Sequence, residues 1–256
     1  MIGDLFSVAL YNPLYNGLIF LISVVPYADV GIAVIILTIA VRFFLLPLSM
    51  KAVKTQALVR GLESDLSQLR EKFKDNKQEQ ARRTMELYRE KGINPFSSFL
   101  LLFIQIPIIF ALYWVFFRGG LPVVNLDILY SFISVPDRIN TQFIGLIDIL
   151  ERNAPLAILA GVTQFFQIKL SMPKRKKLKS KTPSLKEDLA RSFSFQMRYV
   201  LPVIVVVIAY VISAAVALYW TVSNIVSIAQ ELFVLKRLRQ QKESESQTQT
   251  KEQIKA

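Results

Sequence analysis

From Tyr199 to Leu235 the chain runs for 37 residues without a basic side chain and with one acid, Glu231. As one helix this stretch would measure about 55 Å at 1.5 Å per residue, well beyond the roughly 30 Å hydrocarbon thickness of a bilayer. It is too apolar for water and too long for one crossing. The chain therefore reads as an all-α integral membrane protein whose last apolar run is divided. Three more apolar stretches are long enough to join it: 28–50, interrupted by Thr38, Arg42 and Ser49; 95–117, with Gln105 and Pro107; and 154–171, with Thr163, Gln164 and Gln167.

Charge decides how the last run divides. Of the 31 Lys and Arg, 27 fall in three stretches, 51–94, 169–198 and 236–256. Basic loops stay in the cytoplasm. Two crossings after Arg198 put all three on that side and one crossing does not, so a turn is expected at Ser213-Ala214-Ala215, between spans 199–212 and 215–235. The result is a five-span core with the amino end outside and the carboxyl end inside. Residues 1–27 read as an interfacial amphipathic helix in preference to a further span, which stays open, because Asn12, Pro13, Asn16 and Gly17 are costly in lipid. Residues 51–94 read as a cytoplasmic helical hairpin, with apolar positions three and four apart, a break at Lys74-Asp75-Asn76-Lys77 and a stop at Gly92. An extracytoplasmic segment, 118–153, a basic loop, 172–198, and a basic, polar tail, 236–256, complete the organisation. No basic residue precedes Arg42, so neither a secretory signal nor a transit peptide is read.

Histidine and cysteine are both absent. That removes disulfides, thiolate chemistry and histidine acid–base catalysis, and with no nucleotide or acyl-transfer motif the chain is read as neither an enzyme nor a holder of metal or cofactor. Arg42 is the informative residue. A guanidinium at membrane depth costs about 2.5–3.5 kcal/mol even on the lenient insertion scale. Helical side chains lean towards the amino end, here the outside, so snorkelling to cytoplasmic water works against its own Cα–Cβ direction. Water or polar partners must come to it. Thr38, Arg42 and Ser49 share a helix face, Ser98 and Gln105 are seven apart, Thr163, Gln164 and Gln167 serve the third span, and Trp220, Asn224, Ser227 and Glu231 recur at offsets of four, three and four. A hydrated cavity accommodates these groups, although such residues also simply join helices. A static ion pair between Arg42 and Glu231 stays open.

The chain resembles the YidC/Oxa/Alb insertases. The resemblance rests on Leu37-Thr38-Ile39-Ala40-Val41-Arg42 followed by Pro47-Leu48-Ser49, then Ile93-Asn94-Pro95, Gln105 to Tyr113, and Leu218-Tyr219-Trp220-Thr221-Val222-Ser223-Asn224, in order along nearly the whole chain. It implies a bacterial plasma-membrane protein with a hydrophilic groove open to the cytoplasm and the lipid, in which Arg42 receives the hydrophilic tail of a client without nucleotide hydrolysis. Thr38, Gln105, Pro107, Gln164, Gln167, Tyr219, Trp220 and Asn224 are the expected groove positions, with Glu231 as an alternative partner for the cation. Expected partners are nascent membrane-protein clients, the ribosome, the general translocon and anionic lipids, and no DNA. The large domain that some members carry before the core, the lipoprotein signal of others, and the Pro or Gly common in the turn between the fourth and fifth helices, here Val211-Ile212-Ser213-Ala214-Ala215, are not seen. A small-solute or ion transporter and a noncatalytic membrane scaffold remain alternatives.

Overall fold

The structure, a computed structural model, describes residues 5–94, 97–117, 121–172, 192 and 195–255, with backbone alone at 97–104, 117, 242 and 245–255. The basic run Lys174–Lys181 lies outside them. Helices account for most of what is described: α1 (Asn12–Val24, entered through a π-turn at Ser7–Tyr11), α2 (Val30–Phe44), α3 (Leu46–Gly61), α4 (Glu63–Lys72), α5 (Lys77–Glu90), α6 (Ser97–Phe117), α7 (Ala154–Ser171), α8 (Leu201–Ile212) and α9 (Ala214–Lys255). A two-stranded antiparallel hairpin, β1 (Gln142–Phe143) and β2 (Ile147–Asp148), sits between α6 and α7. By length and composition Ser7–Val24 and Ala214–Gln241 could each cross a membrane, and α2 with α3 would make a third span if taken as one; Gln105–Phe116 and Gln196–Ile212 are apolar but shorter.

The chain divides into two compact units. The first contains α1, α2, α6 from Leu102, the loop 121–153, α7 to Lys169, α8 and α9 to Val226. Its core joins Leu14, Leu18 and Ile22 of α1, Val30 and Val34 of α2, Ile108 and Val115 of α6, Ala157 and Ala160 of α7, Val205 of α8, and Ala214 to Trp220 of α9. Small residues permit close helix packing, as in membrane bundles generally. A Cβ at Gly161 would fall 2.2 Å from Val206 and 3.0 Å from the Pro202 carbonyl, so α7 and α8 require glycine there.

α1 departs from the amphipathic pattern. Besides Ser23 its outward residues include the apolar Phe20 and Val24, with Val8 exposed in the π-turn before it, and the polar Asn16 faces inward, 1% exposed. Asn16 Nδ2 donates to the Ile128 carbonyl (2.8 Å) and its Oδ1 accepts from Tyr130 N (2.6 Å), while Asn125 N donates to the Tyr15 hydroxyl (2.7 Å). Asn16, one of the residues that looked like a break, is thus a stitch to the 121–153 loop, and Tyr15 is a second. The same loop reaches the start of α2, where Val30 N donates to the Asn140 carbonyl (3.0 Å), and the break between α8 and α9, where Ala214 N and Ala215 N donate to Glu151 O (2.7 Å) and Ile149 O (2.8 Å). Ser213, in extended conformation, ends α8 without proline or glycine.

The second unit holds α3, α4, α5 and α9 from Ser227. α2 ends at Phe44, capped by Leu45, and α3 starts with Leu46-Pro47. Proline at a helix start lacks only an N–H that would be unpaired there, and it cannot continue a preceding helix. The stretch 28–50 is thus divided between two helices, and its last residues belong to one running to Gly61. The hairpin region correspondingly contains the end of α3 besides α4 and α5, with Asn76 capping α5 by accepting from Glu79 N at 3.0 Å. On α5 the hydrogen bond from Arg82 holds the Glu79 carboxyl below the usual carboxylate range, and Arg83 adds to it. Gly92, at φ 62°, closes α5, with Ile93 N donating to the Tyr88 carbonyl at 2.8 Å. The tail from Lys236 is helical to Lys255, in keeping with its Lys, Arg, Gln and Glu content.

Candidate functional site

Arg42 lies on α2 in the last turn, half-buried, and its guanidinium is held by two neighbouring helices. Its Nε donates to Ser223 Oγ at 2.9 Å and its Nη2 to Gln105 Oε1 at 3.2 Å, with a second, short contact from Nη2 to Ser223. Gln105 Nε2 in turn donates to the Tyr219 hydroxyl at 2.7 Å. Tyr219 and Ser223 are one helical turn apart on α9 and both buried, at 3% and 1% exposure. The result is a chain Tyr219–Gln105–Arg42–Ser223 that links α2, α6 and α9 through uncharged oxygens. Among the described residues no carboxylate pairs with Arg42.

The other expected groove residues distribute differently. Thr38 is buried one turn before Arg42, but its hydroxyl donates to the Val34 carbonyl of its own helix at 2.6 Å. It lines a small apolar pocket with Leu14, Leu37, Val41, Ile108, Leu112 and Tyr219. Pro107 lies inside α6, where it lacks an N–H for the carbonyl of Phe103. Trp220 is packed in the hydrophobic core. Asn224 faces α7, donating to Thr163 Oγ1 at 3.2 Å and to the Ala160 carbonyl at 3.4 Å. Gln164 donates to Gln167 at 3.4 Å on the same helix. Thus α9 carries two polar edges, Tyr219/Ser223 towards Arg42 and Asn224 towards α7. Ser223 was not singled out from sequence. Its one signal was the offset of four from Tyr219, which Trp220 and Asn224 share.

Glu231, considered above as a partner of Arg42, pairs in the structure with Arg60. Arg60 Nη2 lies 2.5 Å from Glu231 Oε1, Ser171 donates to the other carboxylate oxygen, and Arg60 Nη1 donates to the Leu170 carbonyl. Glu231 is 1% exposed. Nothing in the spacing distinguished Arg60 from the ten other cations of 51–94.

A helical assembly that turns apolar residues outward, as α8 does with Val203, Ile204, Val207 and Val211, while placing polar groups around a guanidinium inside, has the polarity of a membrane protein. A family model described as 60Kd inner membrane protein matches residues 20–243. Similar proteins include the "Membrane protein insertase YidC" of Fusobacterium nucleatum, 30% identical over 233 residues that make up 89% of this chain and 98% of that protein. That of Clostridium acetobutylicum is 31% identical over 229 residues, 88% of this chain and 82% of the relative. The one from Pelobacter propionicus, 30% identical over 207 residues, is longer: the match covers 80% of this chain and 35% of it. The chain belongs to the 60Kd inner membrane protein family, the YidC/Oxa1 family of bacterial membrane proteins.

Proposed function

We propose that this protein is a membrane protein insertase in which Arg42, tethered by Ser223 and Gln105, receives the hydrophilic segment of a client while the client's apolar segment leaves into lipid. The observation that carries this reading is a guanidinium held between helices by neutral oxygens, with no carboxylate among the described residues to neutralise it. A buried cation normally gains a counter-ion; here an acidic client tail supplies one. No nucleotide is spent, because the client's apolar burial drives the transfer and the cation shortens the low-dielectric path for its tail.

Five crossings, α2, α6, α7, α8 and α9, fit the hydrogen bonds of the 121–153 loop, which gather the start of α2 and the α8/α9 break beside the segment joining α6 to α7. These ends then share the outer side, and the basic stretches share the cytoplasmic one. α1 is bonded to that non-helical loop at Tyr15 and Asn16, which supports an interfacial position, since irregular backbone is not left facing lipid. Nascent clients are the partners of the groove. The ribosome and the general translocon would be met on the cytoplasmic and lateral faces, with anionic lipids beside the basic stretches.

The chain has no cysteine, so single cysteines test both parts of this reading. A cysteine at Gln105 should form a disulfide with one in the tail of a stalled client, and one at Ile204, on the outward face of α8, should not. Cysteines at Asn76 and Ser246 should react with an impermeant reagent only from the cytoplasm, and one at Asp137 only from outside. Equal client capture at Gln105 and Ile204 would remove the groove, and labelling of Asn76 and Ser246 from opposite sides would remove the five-span order.

A further inference from the structure

Among the described residues three other than glycine have positive φ, Tyr27 (59°), Ala28 (50°) and Ile144 (47°), and hydrogen bonds bring them to one place. Asp29 Oδ1 accepts from Ile32 N at 3.1 Å and caps α2, while its Oδ2 accepts from Ile144 N at 2.8 Å. Asn140 N donates to the Ala28 carbonyl at 3.0 Å, and Val30 N returns a bond of 3.0 Å to the Asn140 carbonyl. The β1–β2 hairpin is thereby fastened to the first turn of α2. Gly31 permits the approach, since a Cβ there would lie 2.3 Å from the Phe143 ring.

At its tip this junction exposes three large uncharged side chains, Tyr27 at 89%, Ile144 at 64% and Leu146 at 79%, with the polar Gln142 further back on β1. Isoleucine is a poor choice for a left-handed backbone position, because its branched Cβ crowds the carbonyl where asparagine or glycine would not. The turn that closes the hairpin, with Leu146 N donating to the Phe143 carbonyl at 3.0 Å, demands positive φ at both Ile144 and Gly145 and so accounts for the backbone, but not for a branched apolar residue left exposed there. Depth supplies the missing reason. Tyr27 sits between two apolar helices, after Val24 and before Val30, and Asp29 fixes the hairpin tip at that level. A tyrosine with an apolar body and a polar tip suits the layer between headgroups and acyl chains.

We propose that Tyr27, Ile144 and Leu146 form a lipid-inserting apex that seats in the headgroup–acyl boundary of the outward leaflet and sets the depth of the first turn of α2. The apex carries no charge, so a zwitterionic surface suffices. The inference rests on the reading that α2 crosses the membrane from that side.

The test uses the full chain in phosphatidylcholine vesicles, with and without phosphatidylglycerol, and an environment-sensitive fluorophore on Leu146→Cys or Tyr27→Cys, with Ile39→Cys on the outward face of α2 as the reference. The apex labels should be blue-shifted and lose more fluorescence to nitroxides at headgroup level than to nitroxides near the tail ends, equally in both lipid mixtures. The Ile39 label should show the opposite order of quenching. Water-like emission at both apex sites beside a lipid-quenched Ile39 label overturns the apex while leaving the spanning reading intact. A water-like Ile39 label overturns both.

Discussion

Glu231→Gln should destabilise the folded protein by about 3–5 kcal/mol, the cost of breaking a buried ion pair from one side. The carboxylate is 1% exposed and accepts from both Arg60 and Ser171, so neutralising it strands a cation on α3 and withdraws an acceptor from the end of α7. The Arg60 side chain is itself 16% exposed, which places the effect at the lower end of that range. For a chain of this size the loss corresponds to a fall in Tm on the order of 10 °C, read by thermal unfolding in detergent. Arg60→Met should cost a similar amount, because it leaves the anion buried. The double variant Arg60→Met/Glu231→Leu should recover much of the loss, since matched apolar replacement of a buried pair is often close to neutral. Additive losses in the double variant would mean that the two residues do not act as a pair.

Arg42→Ala should fold normally and lose about tenfold or more of its insertion activity towards clients with acidic tails, while Arg42→Lys should keep most of it. The partners of Arg42 are neutral, so removing the guanidinium strands no opposite charge. The functional cost is larger. A charge pair 4–6 Å apart at an effective dielectric near 20 is worth about 3–4 kcal/mol, and a third of that in the rate-limiting step is roughly a factor of ten. Lysine retains the charge but not the planar fork that spans Ser223 and Gln105, so a defect in Arg42→Lys as large as in Arg42→Ala would assign the residue to geometry instead. The loss should grow as acids are added to the client tail and shrink when they are replaced by amides.

Much of the helical content was readable because apolar runs and charge clusters are collective signals that survive errors at single positions. The break near Ser213 came from charge balance alone, with no turn residue announcing it, and the helix does stop there. Boundaries depended on single residues. Pro47 lies just past the end of the preceding helix at Phe44, where composition alone carried the apolar stretch to Met50. Pairings were the least legible. Arg42 was identifiable because a lone cation in an apolar run is costly, yet its partner on α9 is Ser223 rather than Asn224, one residue away. Which edge of α9 meets α2 is decided by packing around Ala214 to Trp220, which local spacing does not encode. Asn16 looked like a break for the same reason: its acceptor and donor lie more than 100 positions later, at Ile128 and Tyr130.

The most direct measurement of the central claim is insertion of a small single-span client into vesicles holding only the purified protein, scored as the protease-protected fraction. Wild type should exceed protein-free vesicles for neutral and acidic tails alike, and Arg42→Ala should fall towards the protein-free level as acids are added. Equal insertion by wild type and a well-folded Arg42→Ala across both tails, or solute flux without any insertion, would contradict it.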